Sequence, residues 1–218
     1  MRALLLIDLQ NDFFPEGALA VKDANAILPI INEIVHYPFD LIVASKDWHP
    51  PDHGSFANNH EGKKVGELIN LGRLEQILWP VHCVQGTLGA EFAPGWETLM
   101  VDKVFYKGTD SLIDSYSAFY DNGHRKSTGL ENYLREKGIS EVFIVGLATD
   151  YCVKYSVLDA LKLGFHTYII VDACKGVNLH FQNTEIALQE MRKEGAILLS
   201  FKDLKDLLEN KDKGHKLP

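Results

Sequence analysis

Six short apolar runs punctuate this chain, most of them too uniformly hydrophobic to alternate between a wet and a dry face. They lie at Ala3 to Leu9, Leu41 to Ser45, Val101 to Tyr106, Val142 to Leu147, Tyr168 to Val171 and Ala196 to Phe201. A strand with apolar side chains on both sides is buried on both faces, which is the condition of a parallel sheet covered by helices. The stretches between the runs supply the cover. Amphipathic helices are expected at Ala24 to Tyr37, Gly129 to Lys137, Asp150 to Leu163, His180 to Lys193 and Leu204 to Glu209, with Gly138, Gly164 and Gly195 as stops. The expected fold is α/β, a single three-layer α/β/α domain around a central, mostly parallel six-stranded sheet.

A chain of 218 residues can bury one sizeable core, so the domain is read as residues 1–210 with a polar tail at 211–218. One segment breaks the pattern. From Trp48 to Trp96 the sequence is rich in His, Pro, Gly and Asn and carries only short helical hints at Val65 to Ile69 and Arg73 to Leu78. So long an irregular insertion, taken as residues 48–96, usually builds a site. Thirty acidic against 22 basic residues give a net charge of -8, the wrong sign for neutralising a phosphate backbone, so nucleic acid is not an expected partner. No apolar run approaches a membrane span or a signal-peptide core, and the chain reads as cytoplasmic. Three cysteines without a CxxC pair fit reduced thiols better than a disulfide framework.

In open α/β sheets ligands bind beyond the carboxyl ends of the strands, and four such ends carry reactive groups. Cys152 follows the strand EVFIVGL and opens the helix TDYCVKYSVLDALKLG, where unpaired N–H groups and the helix dipole favour a thiolate. Cys83 and Cys174 read as small buried hydrophobes. Asp8 ends the strand ALLLI, where a carboxylate is costly to desolvate but could accept a thiol proton and return it to a leaving group. Lys107 closes VDKVFYKG, and its ammonium beside a thiol is expected to lower the thiol pKa. The turn at Leu147 and Ala148, with the Cys152 N–H, could supply an oxyanion hole.

Asp47 and His49 stand two apart at a strand end, so their side chains share a face and could bind one ion. His82 would be the third ligand, with His53 and His60 as replacements or supplements. A carboxylate and two imidazoles suit a divalent zinc, iron or manganese ion and leave positions open for water or substrate. His36, His124, His166, His180 and His215 read as surface residues. Phe13, Trp48, Trp79 and Tyr116 are aromatics near these groups that could hold a planar ring.

The set DLQNDF, SKDWHPPDHGSF, WPVHCVQGT, YKG with its downstream YSAF, and GLATDYCV resembles, in order and spacing, the nicotinamidases (pyrazinamidases) of the isochorismatase-like cysteine hydrolases. The resemblance implies the isochorismatase-like hydrolase fold and an amidohydrolase that converts nicotinamide to nicotinate and ammonia in pyridine-nucleotide salvage. It implies Asp8, Lys107 and Cys152 as the catalytic triad, and Asp47, His49 and His82 as holders of a divalent metal. It further implies a cis peptide before Ala148, the Ala148 and Cys152 amides as the oxyanion hole, and Phe13 and Trp79 against the pyridine ring. Pyrazinamide as a second substrate, and assembly into a homo-oligomer, are left open. So are two alternatives: a metal-free hydrolase of the same superfamily acting on another small amide, and a non-catalytic protein that binds a metal and a small ring.

Overall fold

The computed structural model describes residues 1–212, with side chains as far as Leu208. Its main sheet has six strands: β1 (Arg2–Ile7), β2 (Leu41–Asp47), β5 (Lys103–Lys107), β6 (Glu141–Leu147), β7 (His166–Lys175) and β8 (Ile197–Leu199). They lie in the order β5-β2-β1-β6-β7-β8, and every neighbouring pair is parallel. The fold is the expected three-layer one. Leu4, Leu6 and Val145 point to one face, where α1 (Leu28–Ile34) and α5 (Phe201–Asp212) cover them with Ile31, Ile34, Leu204 and Leu208. Leu5, Ile7 and Ile144 point to the other, beneath α2 (Leu130–Glu136), α3 (Lys154–Lys162) and α4 (Asn183–Lys193).

The apolar run of β1 is consequently sealed on both sides: Leu4, Leu5, Leu6 and Ile7 are at most 1% exposed. Burying each such side chain stabilises the domain by about 1.5–3 kcal/mol, which is why the first strand sits at the centre of the sheet. Strand order reverses there: β2 and β5 extend to one side of β1, and β6, β7 and β8 to the other. The crevice beyond the carboxyl ends of β1 and β6 is thus the place where such a fold binds ligands.

Several boundaries differ from the sequence reading. The stretch expected as one helix from Ala24 to Tyr37 is a 3-10 turn, Ala24–Ile27, followed by α1, whose Pro29 in the first turn has no N–H to lose. The helix expected from His180 starts at Asn183, and α5 starts at Phe201, shortening the last strand. The helical hints at Val65 to Ile69 and Arg73 to Leu78 are overturned: the segment is an antiparallel hairpin of β3 (Leu68–Leu71) and β4 (Leu74–Ile77). Gly72 and Arg73 both have positive φ, 58° and 70°, the conformation that two-residue hairpin turns demand. Runs of four or five residues are too short for periodicity to separate the two states. The expected tail lies, from residue 213 onward, outside the described residues, as does His215. Among the described residues no helix is long and apolar enough to cross a membrane.

Gly146 is where β6 must be glycine. Its φ is 120°, and a Cβ there would stand 2.2 Å from the carbonyl oxygen of Ile7 on the neighbouring strand. Gly164, at the end of α3, also has positive φ (82°) but faces open space. Gly146→Ala is expected to cost about 3 kcal/mol or more, because backbone must move, while Gly164→Ala costs about 1 kcal/mol. Urea unfolding of the two variants checks this, and equal losses would refute the steric account.

Candidate active site

Four strand ends deliver one cluster. Asp8, the residue after β1, is fully buried and turns the chain with a positive φ of 50°. Its Oδ1 accepts a hydrogen bond from the Ser45 hydroxyl at 2.6 Å, and its Oδ2 is 2.8 Å from the Lys107 ammonium. Lys107, the last residue of β5, also reaches Asp47 Oδ1 at 2.5 Å, the Ser115 carbonyl at 3.1 Å and Cys152 Sγ at 3.3 Å. One ammonium therefore joins a carboxylate from β1, a carboxylate from β2 and the thiol that follows β6.

Burial and charge compete at each of these groups. Burial pushes Lys107 down, but the carboxylates of Asp47 and Asp8 outweigh it and hold the ammonium protonated. Burial pushes Asp47 up, and Lys107 together with His49 reverses this, keeping Asp47 well below the usual carboxylate range. At Asp8 burial wins and the pKa is raised in spite of Lys107. Cys152 departs from expectation: burial lifts its thiol well above the ordinary value, Lys107 pulls it down only in part, and Asp8 and Asp47 push it further up. The lysine does pull the thiol down, as read from the sequence, but the removal of water around the sulfur outweighs it, the carboxylates add to the rise, and the net shift is upward. Cys152 rests as a thiol, with the raised Asp8 carboxylate close by.

Cys152 lies in a π-type turn, Thr149–Val153, ahead of α3. The Leu147–Ala148 peptide is cis, as the resemblance implied, and the Ala148 carbonyl accepts the N–H groups of Tyr151 and Val153. Beside the thiol opens a small cavity whose walls include Phe13, Trp79, Tyr116 and Ala148 together with Asp47, His49 and His82. Tyr151, Asp114, Leu19 and Val177 also line it and were missed by sequence reasoning. Tyr151 was legible as the neighbour of Cys152, whereas Leu19 and Val177 arrive on loops that no local pattern marks. Trp79 Nε1 donates to the Tyr116 hydroxyl at 3.1 Å, which braces the two rings. Trp48 is a correction: its ring packs on Tyr106 and near the Lys46 ammonium, away from the cavity. Strand alternation explains it, since Asp47 and His49 share one side and residue 48 takes the other.

Asp47, His49 and His82 present ligand atoms that lie within 4.8 Å of one another. His49 Nδ1 is 2.9 Å from the Gly108 carbonyl and His82 Nδ1 is 2.8 Å from that of Pro80. A carbonyl only accepts, so both Nδ1 atoms carry protons and both Nε2 atoms face Asp47 Oδ2, at 3.7 and 3.8 Å. Although burial disfavours charge on His49, Asp47 raises its pKa, so the site attracts positive charge. His53 Nδ1 lies 2.7 Å from the Ser55 hydroxyl and 3.2 Å from the Ser55 backbone N–H, while its buried Nε2 has no partner among the described residues and falls with His49 and Asp114 in a second group of possible ligands. Burial, then the neighbouring His49, lowers its pKa to about 4, so the ring is neutral. His60 turns to the Gly54 carbonyl, while His36, His124, His166 and His180 are exposed, as expected.

Residues 2–203 match the isochorismatase domain family. The chain is 45% identical to the nicotinamidase of Escherichia coli (strain K12) over 205 residues, 93% of this chain and 96% of the relative. It belongs to the nicotinamidases of the isochorismatase family. A solved nicotinamidase/pyrazinamidase from Acinetobacter baumanii superposes with a TM-score of 0.90 at 46% identity, covering 93% of this chain and 97% of that one. The pyrazinamidase of Pyrococcus horikoshii, solved in complex with zinc, superposes at 0.74 with 37% identity, covering 91% and 98%. The architecture of this chain, a central parallel six-stranded sheet between helices, is that of these enzymes.

Asp8→Asn separates the two influences on the thiol. It removes a negative charge that raises the Cys152 pKa while Lys107 still lowers it, so the thiol should titrate at lower pH than in the native chain. Iodoacetamide labelling of Cys152, followed by mass spectrometry across pH, is expected to be faster at neutral pH in this variant. A labelling profile that shifts upward would contradict the charge assignment.

Proposed function

We propose that this chain hydrolyses nicotinamide to nicotinate and ammonia through an acyl-thioester on Cys152, with pyrazinamide as a second substrate. The observation that carries the reading is the buried contact of Lys107 with Asp8, Asp47 and Cys152 beside an aromatic-walled cavity. Asp8, whose pKa burial raises above the ordinary carboxylate value, accepts the Cys152 proton as the sulfur attacks the carboxamide carbon. The carbonyl electron pair moves to oxygen, where the backbone N–H groups of Ala148 and Cys152 stabilise it. The C–N bond breaks as Asp8 hands its proton to the departing nitrogen, and ammonia leaves. Water then attacks the thioester, Asp8 takes its proton, the C–S bond breaks and the sulfur recovers that proton as nicotinate is released. Lys107 holds Asp8 and the thiol together throughout and keeps the surrounding carboxylates neutralised.

The donor set beside the thiol fits a divalent ion: one carboxylate held ionised, and two imidazoles with lone pairs turned toward it. Asp47, His49 and His82 would hold it, zinc foremost and iron or manganese as alternatives, in keeping with the zinc-bound Pyrococcus horikoshii relative. Such an ion would supply Lewis acidity for holding the substrate's ring and so help to orient the carboxamide. Phe13, Trp79 and Tyr116 supply the faces between which a planar ring lies.

Incubating the purified chain with nicotinamide should yield equal amounts of nicotinate and ammonia, and Cys152→Ala should lower turnover at least about a thousandfold with the fold intact. A Cys152→Ala variant that hydrolyses nicotinamide at the native rate would exclude the thioester route. Elemental analysis tests the ion separately: His49→Ala and His82→Ala are expected to lose one equivalent of metal, and His53→Ala to keep it. Retention in His82→Ala with loss in His53→Ala would reverse the ligand assignment.

A further inference from the structure

The segment after Asp8 carries three consecutive polar side chains, Gln10, Asn11 and Asp12, that the proposed chemistry leaves unused. Gln10 is completely buried and grips the Asp47 backbone from both sides. The Asp47 N–H donates to Gln10 Oε1 at 2.8 Å, and Gln10 Nε2 donates to the Asp47 carbonyl at 2.7 Å and to that of Ala90 at 2.9 Å. A side-chain amide thereby continues the strand pairing that β1 gives β2 as far as Leu6 and Ala44.

Asp12 acts on the other side of the candidate ion site. Its Oδ2 accepts the Cys83 N–H at 2.6 Å and its Oδ1 the Ala18 N–H at 3.2 Å. Cys83 follows His82 and adopts a left-handed backbone, φ 45°, that a residue with a Cβ resists. Its carbonyl in turn accepts the His49 N–H at 3.0 Å. The conformation of Cys83 therefore sets the direction of the chain at both histidines, and the Asp12 carboxylate holds that conformation. Gly89 makes room for it, since a Cβ there would stand 2.1 Å from Asp12 Oδ2. Asn11, between the two, bonds only the carbonyls of Leu88 and Glu91.

We propose that Gln10 and Asp12 are positioning residues that hold Asp47 and His82 in register with Asp8, so that one short segment aligns the ion-binding and thiol-activating sides of the cavity. The inference rests on the ion site assigned under the proposed function. Its test reads metal affinity without substrate: zinc is titrated into chelator-stripped protein against a chromophoric competitor. Asp12→Ala and Gln10→Ala are expected to weaken zinc binding about tenfold. Their KM for nicotinamide should rise by more than their kcat falls. Asn11→Ala, which removes two hydrogen bonds from the same segment, should keep zinc affinity within about twofold, because none of its partners is a ligand or neighbours one. Where Asp12→Ala does not fold, Asp12→Asn carries the test, since it keeps the shape and one acceptor without the charge and should lose about threefold.

Native zinc affinity in the folded Asp12 variant, or an equal loss in Asn11→Ala, overturns the proposal while leaving the ion site standing. A wild-type chain that binds no divalent ion removes the ion site and this proposal together.

Discussion

A single buried ammonium organises the catalytic end of this protein. Lys107 is 2% exposed and lies within hydrogen-bonding reach of Asp8, Asp47, the Ser115 carbonyl and Cys152. Two carboxylates brought this close, away from water, would otherwise repel each other and one would protonate. Withdrawing the lysine would leave uncompensated buried charge, a loss on the order of 3–5 kcal/mol. The positions of β1, β2 and β5 at their carboxyl ends are thus tied to one charge, and so is the arrangement of reactive groups around the thiol.

That same arrangement shapes the reactivity of Cys152. An exposed cysteine beside a lysine would be a standing thiolate, open to oxidation and alkylation. Here burial and two carboxylates keep the thiol protonated, and Asp8 is raised by the same desolvation. Both shifts run upward, so the thiol carries its proton at rest and no standing thiolate is exposed to such reagents. The neighbouring donor set obeys the same economy of charge. Asp47 serves Lys107 with one oxygen and faces His49 and His82 with the other, so the two halves of the site share a carboxylate.

Much of this was written in local pattern. Strands buried on both faces announced the parallel sheet, and their ends marked Asp8, Asp47, Lys107 and the approach to Cys152 as neighbours in space. Period-two spacing put Asp47 and His49 on one side and, read strictly, already excluded Trp48 from the cavity. The hairpin at Leu68–Ile77 escaped because four-residue strands show too few residues for a period, although the turn Gly72-Arg73 supplied its positive φ values. Leu19 and Val177 escaped for another reason: they reach the cavity from loops whose paths depend on long-range contacts, such as the Asp150 carboxylate that accepts the Val177 N–H.

The sequence by itself determined the layer architecture, the strand-end residues and their chemical kinds, because hydrophobic periodicity and side-chain identity are local properties. The sign of the thiol shift, the tautomers of His49 and His82, and the grip of Gln10 on Asp47 were decided only in the folded molecule. Each depends on how much water is removed and which atom faces which across tens of residues. A lysine beside a cysteine argues for a thiolate until the burial of the sulfur, and then the two neighbouring carboxylates, are counted.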